Sequence, residues 1–355
     1  MSRRWATLAA LALLSLSAAV APPAAAGPVI VGAGDPTAIP GSYLVVYHGA
    51  PRVDLATKYG VDVRHRYSAA LHGFAGRMSE ATARAIAADP AVGHVEQDRT
   101  VTTAATQSPV PSWGLDRIDQ VALPLDNSYT YSTTAPDVTV FVIDTGIRLT
   151  HNDFGGRAVW GVNTTGDGIN TDCHGHGTHV SGTIGGTVYG VAKGVRLVAV
   201  KVLTCSGSGT FAGVVAGIDW VTQHHGPGPA VANLSFAGPA STIVDNAVRN
   251  AINHGVIVVV AAGNDGRNAC GYSPGRVSQA ITVGAADRND VVPPWSNFGA
   301  CLDRTAPGVT ITSLWNTTDT ATNTLSGTSI AAAHLSGLAA IDLSIARRPV
   351  AGAPL

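Results

Sequence analysis

Charge is scarce in this chain. Lys, Arg, Asp and Glu make up 13% of its 355 residues, against roughly 25% in an average domain, and the formal net charge is −1. No basic surplus is available for nucleic acid or an anionic membrane surface, so neither is an expected partner. After the first residues, no apolar run is expected to span a bilayer. Glutamate is missing beside the histidines of Cys173-His174-Gly175-His176-Gly177-Thr178-His179. A familiar zinc peptidase needs one next to its helical histidine pair, so zinc chemistry is set aside. Apolar residues (45%) and glycine (41 residues) are plentiful instead. That composition supports a full core, and the length points to two domains. Interleaved with apolar strands, the glycines read as tight turns and close backbone approach rather than disorder.

The first 26 residues read as an export signal. Ser2-Arg3-Arg4 supplies positive charge, Trp5 to Val20 an apolar stretch, and Ala24-Ala25-Ala26 a small-residue cleavage site. The expected location is therefore extracellular, where disulfides are permitted. Four cysteines, Cys173, Cys205, Cys270 and Cys301, allow three pairings, and the residues alone do not choose among them.

Behind the signal, residues from about 40 to 100 read as a small α+β unit. Strands are expected at Tyr43–Tyr47, Val63–Tyr67, Gly73–Met78 and Val92–Val95, with a short helix from Asp54 to Tyr59. Ser79 is placed to cap an alanine-rich helix that Pro90 stops. Later, Val138–Ile143, Val195–Leu203, Val231–Leu234 and Val256–Ala262 are apolar runs suited to strands buried on both faces. Phe211, Val214, Val215, Ile218 and Val221 recur at helical spacing, as do Val244, Ala247, Val248, Ala251 and Ile252. Alternating strands and helices predict a doubly wound, mainly parallel sheet, with ligands beyond the carboxyl ends of its strands.

Three segments carry the chemistry. Asp144-Thr145-Gly146 ends a strand, His176-Gly177-Thr178-His179 opens a helical stretch, and Gly327-Thr328-Ser329-Ile330-Ala331 opens another. A histidine can take the serine proton during attack on a carbonyl and return it to the leaving amine, while a buried carboxylate fixes its tautomer. With acid, base and nucleophile in the order Asp, His, Ser, and with these glycine-rich surroundings, the chain resembles the subtilisin family of serine peptidases, in its proteinase-K-like branch.

The resemblance implies a secreted endopeptidase with Asp144, His176 and Ser329 as its triad, acting on protein and peptide substrates through an acyl-enzyme. Leu71-His72-Gly73-Phe74-Ala75-Gly76 and Asp89-Pro90-Ala91-Val92 resemble the family's inhibitory propeptide. Residues 27–104 are then a self-removed intramolecular inhibitor, with a ferredoxin-like domain at about 40–100, and 105–355 the peptidase domain. The resemblance also implies bridges Cys173–Cys205 and Cys270–Cys301. Asn264, ending Ala262-Gly263-Asn264, would donate to the oxyanion together with the Ser329 amide. Substrate backbone would lie between Ser206-Gly207-Ser208-Gly209 and Ser235-Phe236-Ala237-Gly238, beside Ala262 and Gly263. Asp116, Asp119, Gln120, Asp126 and Ser128 match a calcium site of some relatives, and Asp303 a second; hard oxygen ligands suit that ion. The expected state is a monomer.

Three departures stand out. Ile330 and Ala333 replace the family's methionine and proline, and Phe236-Ala237 replaces a leucine and a glycine. The chain continues only briefly past Ser329, which predicts that Leu335, Leu338 and Ile341 are less protected. The alternative these departures raise is a truncated, poorly active homologue that acts as a binding or inhibited remnant.

Overall fold

The computed structural model describes residues 29–35, 37–49, 54–100 and 104–346; the expected export signal and the tail beyond Ala346 lie outside the described residues. The chain forms two units, divided near residue 99.

The smaller unit runs β1 (Ala38–Tyr47), α1 (Leu55–Lys58), β2 (Asp62–Tyr67), β3 (Gly73–Arg77), α2 (Glu80–Ala87) and β4 (Val92–Arg99). Its sheet order is β2-β3-β1-β4, the ferredoxin-like arrangement. Ser79 caps α2 as expected, its Oγ accepting the Thr82 amide at 3.1 Å. Val45 and Phe74 stand opposite each other across β1 and β3, and both are fully buried with Ile86 and Ala83 of α2.

In the larger unit, β5 (Ala105–Gln107) pairs antiparallel with β6 (Tyr129–Tyr131), and α3 (Trp113–Ile118) lies between them in sequence. Then follow β7 (Thr139–Asp144), β8 (Ala158–Asn163), α4 (His176–Gly185), β9 (Arg196–Lys201), α5 (Phe211–His224) and β10 (Ala230–Leu234). The next elements are β11 (Gly238–Pro239), α6 (Thr242–Asn253), β12 (Val256–Ala261), β13 (Tyr272–Ser273) and β14 (Ile281–Ala286). β15 (Arg304–Pro307), the hairpin β16 (Ile311–Leu314) and β17 (Thr322–Leu325), and α7 (Thr328–Ala346) complete it.

Seven strands form one parallel sheet, ordered β15-β14-β12-β10-β7-β9-β8. The doubly wound sheet expected from the sequence is the one observed. Alternation along each strand divides the core. Val140, Val142, Leu197, Ala199 and Val259 face α4 and α7, whereas Phe141, Ile143, Val198, Val200 and Val260 face α5 and α6. Each fully buried side chain of this size stabilises the fold by about 1.5–3 kcal/mol relative to exposure. Strand order reverses between β7 and β10, so the carboxyl ends of these strands border the crevice where such sheets bind ligands.

Two expectations need correction. Helix α7 is long and apolar enough to cross a membrane, a length the sequence pattern did not announce. Its small residues, among them Ala331, Ala332, Ala333 and Gly337, instead let it pack inside the unit against β10, β12 and β14. Ile341 is buried in that packing rather than open, while Leu335 and Leu338 are half-buried against the same cluster. Strands β8, β14 and β15 were not anticipated. Both disulfides, Cys173–Cys205 and Cys270–Cys301, are formed as the resemblance implied. In the chain-entropy model each stabilises by roughly 3–4 kcal/mol.

Candidate active site

The apolar run of β7 ends at Asp144, whose side chain is fully buried. A carboxylate in that position is costly unless donors meet it. The Thr145 amide donates to Oδ1 at 2.7 Å, and His176 Nδ1 lies 2.7 and 2.9 Å from Oδ1 and Oδ2. The ammonium of Lys201, buried without exposed surface, fixes the following peptide by donating to the Thr145 and Leu203 carbonyls at 2.9 and 2.8 Å.

His176 is the first residue of α4, entered through Gly175 at φ +107°, a left-handed conformation that favours glycine. A Cβ at Gly177 would collide with the Gly146 carbonyl oxygen, so glycine there lets the helix start touch the Asp144 loop. Burial disfavours the charged form of His176. The charge and hydrogen bond of Asp144, joined by the charge of Asp172, outweigh it and hold the imidazole above its ordinary range.

The three clustered histidines diverge. His174 packs edge-on to His176 with ring centroids 6.3 Å apart. His179 is fully buried, with Nε2 at 3.1 and 3.2 Å from the Ile311 and Asn323 carbonyls; it is the packed helix residue the sequence implied. Burial, then the neighbouring His176, pushes it down to about 4.

Ser329 is the second residue of α7 and is buried. Its hydroxyl donates to the Ser235 carbonyl at 2.8 Å, and the Ser235 hydroxyl donates back to the Ser329 carbonyl at 2.8 Å. Behind them, Asn233 Nδ2 donates to Ser235 Oγ, and Ser336 donates to Asn233 Oδ1. The serine is thus braced from β10, a relay not visible in the sequence.

Asn264 follows β12. Its Oδ1 accepts the Thr328 amide at 2.9 Å, which leaves its Nδ2 as the donor of the side chain. A Cβ built on Gly327 would sit 3.7 Å from Asn264 Nδ2 and 3.8 Å from the Ser329 amide nitrogen. The Asn264 side-chain amide and the Ser329 backbone amide therefore lie near one another beside Gly327. Buried Asn297, which the sequence reading missed, holds this segment: it donates to the Ala262 carbonyl and accepts the Asp265 and Arg267 amides.

A cleft of about 420 Å³ brings Gly207, Ser208 and Gly209 opposite Phe236, Ala237 and Gly238, with Leu203, Phe211 and Val244 along its walls. Ser206 lies outside this lining, and Ser235 sits below it with Ser329. Ala237 borders Gly263, its Cβ 3.4 Å from where a Gly263 Cβ would stand. Ala262 and Gly263 thus join the second wall to Asn264.

The oxygen-rich residues are spread along α3 and its following loop. Asp116 accepts the Asp126 and Asn127 amides, Asp126 accepts from Ser128, and Asp119 accepts the Thr130 amide. Gln120 Oε1 is buried without a partner. Burial first, and then the charges of Asp126 and Asp116, push the Asp119 carboxyl up. Asp303 accepts the Thr282 amide at 2.8 Å. Among the described residues, no three His, Cys, Asp or Glu side chains converge as a metal site.

Residues 135–348 match the subtilase family (Peptidase S8), and residues 47–104 match the peptidase inhibitor I9 family. The chain is 49% identical to the extracellular serine proteinase of Thermus sp. (strain Rt41A), over 94% of this chain and 88% of that protein. It is 46% identical to proteinase T of Parengyodontium album, over 72% of this chain and 87% of that protein. The crystal structure of a cold adapted subtilisin-like serine proteinase superposes with a TM-score of 0.64 at 49% identity, covering 66% of this chain and 85% of that one. A buried carboxylate on a histidine, a serine braced at a helix start and an I9-type segment ahead of them agree with that assignment: the chain belongs to the subtilase family and is a serine-type endopeptidase.

Proposed function

We propose that this endopeptidase cleaves peptide bonds through Asp144, His176 and Ser329, and that it is secreted as a self-processed, monomeric precursor. The observation that carries this reading is the hydrogen bonding of His176 Nδ1 to the buried Asp144 carboxylate. With Nδ1 engaged, Nε2 is the nitrogen left to act as base. In the resting site the Ser329 hydroxyl donates to Ser235, so the reaction begins with its rotation about Cα–Cβ toward Nε2; such hydrogen bonds are often unformed before substrate arrives.

Ser329 Oγ then attacks the scissile carbonyl as His176 takes its proton. Negative charge gathers on the carbonyl oxygen, where Asn264 Nδ2 and the Ser329 amide donate. His176 passes the proton to the leaving amine, and an acyl-enzyme remains on Ser329. Water, deprotonated by the same imidazole, attacks the ester carbonyl and frees the second product. The substrate backbone enters as a strand between Ser206–Gly209 and Ser235–Gly238, where glycines admit another chain closely. The Ala237 methyl narrows the pocket relative to the usual glycine.

Residues 1–26 act as the export signal and 27–104 as a propeptide that inhibits the enzyme until it is cut near Ala105. The I9 match and the ferredoxin-like unit support this division. Ser329→Ala should leave an uncut precursor and lower turnover about 10⁶-fold, a magnitude taken from subtilisin itself. Undiminished casein hydrolysis by that variant would remove the mechanism.

Calcium belongs to this reading at Asp116, Asp119, Gln120, Asp126 and Ser128. The unpartnered Gln120 oxygen and the mutually repelling carboxylates fit a hard cation. Such an ion would add positive charge and clamp the loop. Asp303 shows nothing comparable. Chelation should lower the melting temperature of the Ser329→Ala protein, and Asp119→Asn should shrink that change; a melt indifferent to chelator would count against the site.

A further inference from the structure

We infer that Asp172 is a positioning residue for the reaction, its buried carboxylate locking the helix start that carries His176 onto the loop that carries Asp144. The inference rests on the proposed role of His176 as base. Asp172 is 4% exposed and has five donors. Oδ1 accepts the Thr145 hydroxyl at 2.9 Å and the His174 and Gly175 amides at 3.0 and 2.8 Å. Oδ2 accepts the Thr178 amide at 2.8 Å and the Thr178 hydroxyl at 2.6 Å.

These bonds replace an ordinary helix cap. Gly175, at the cap position of α4, has no side chain to offer, and the first-turn amides would be left unpaired. Asp172 satisfies Thr178, and the Thr145 hydroxyl accepts the Gly177 amide at 2.9 Å while donating to Asp172. One hydroxyl thus joins the residue after Asp144, the residue after His176 and the Asp172 carboxylate. Neither strand β7 nor helix α4 can shift without breaking this junction. The Asn316 side chain, donating to the Asp172 carbonyl at 3.0 Å, anchors the loop from the far side.

The same carboxylate acts on the imidazole by charge. The groups facing His176 are Asp144 from β7, Asp172 and His174 from the loop, and His179 one turn along α4; Lys201 lies beyond Thr145. Asp172 and Asp144 favour the protonated form, against burial. Removing only the Asp172 charge should therefore move the acid limb of kcat/KM to lower pH, since that limb reports the free enzyme's base.

Two variants separate placement from charge. Asp172→Asn removes the charge and turns an acceptor into a donor facing donors. Thr145→Val removes the bridging hydroxyl but keeps the charge. Both processed enzymes are titrated with a serine-reactive fluorophosphonate to count competent sites, then assayed on a peptide amide from pH 5 to 9. Expected is a loss of kcat of about ten- to a hundredfold in each, as for a misplaced reacting group, with the acid limb moved down in Asp172→Asn alone. An Asp172→Asn enzyme with an unmoved limb, or a Thr145→Val enzyme with wild-type kcat, overturns the inference. Should Asp172→Asn fail to fold, the kcat of Thr145→Val decides. Activity surviving in Ser329→Ala would instead overturn the reading beneath it.

Discussion

The sheet of the smaller unit has an exposed edge strand, whereas the central strands of the larger sheet are buried on both faces. Strand β2 is exposed or half-exposed along its whole length, while β10 is buried at every position. The contrast extends to what each unit hides. Ser42 is the one polar side chain buried in the smaller unit among the described residues. The larger unit buries Asp144, Asp172, Lys201, Asn233, Asn297, His179 and His334. A single apolar cluster holds the first together; the second adds two disulfides and a polar network that must stay correctly protonated. The smaller unit should therefore be sensitive to lost packing and the larger to lost protonation states.

Acidification should separate the two most strongly. His179 and His334 are both held down to about 4, chiefly by burial, against an ordinary value of 6.5. Between pH 6.5 and 4 the unfolded chain binds more protons than the folded one, so stability falls as pH falls through that window. The loss approaches roughly 3 kcal/mol per histidine below pH 4. His176, shifted upward, takes up its proton mainly above pH 6.5, so its contribution is already in place and does not slow this fall. Thermal melts of the inert Ser329→Ala precursor should show the larger unit's transition dropping steeply over this range. A transition that stays level would break the comparison.

Packing should separate them next. Phe74 is fully buried and lies against Tyr47 with ring centroids 6.1 Å apart. Phe74→Ala should cost the smaller unit about 3–5 kcal/mol, enough to unfold a domain of its size. Its transition should vanish from the melt while that of the larger unit holds. Equal shifts in both would show that the division is wrong.

Legibility followed the same line between apolar pattern and buried polarity. Runs such as Val138–Ile143 and Val256–Ala262 marked their strands because burial on both faces requires continuous apolar residues. Ser79 marked a helix start because capping is local. Strand β15, with Arg304 and Pro307 at its ends, lies at the sheet edge, where no such run is needed. Asp144, His176 and Ser329 stood out by their flanking glycines, three of which (Gly146, Gly175 and Gly177) prove to be demanded by close contact or left-handed backbone. Asp172, Asn297 and Lys201 did not stand out. Each takes a partner from a distant segment that its neighbours along the chain do not announce, although Asp172 draws its other four donors from His174, Gly175 and Thr178 just after it. Ser329 itself was singled out in the sequence, but not its hydrogen bond to Ser235, since a hydroxyl's rotamer is set by what folding places beside it.

The most direct test of the catalytic geometry is the position of a covalent adduct. The processed enzyme is treated with an organophosphorus fluoride, from which fluoride departs as an Oγ–P bond forms, and is then digested and sequenced by tandem mass spectrometry. A single phosphonyl group on Ser329, absent when His176 is replaced by alanine, is the predicted result. An active enzyme that carries the adduct on another residue, or takes none, would contradict it.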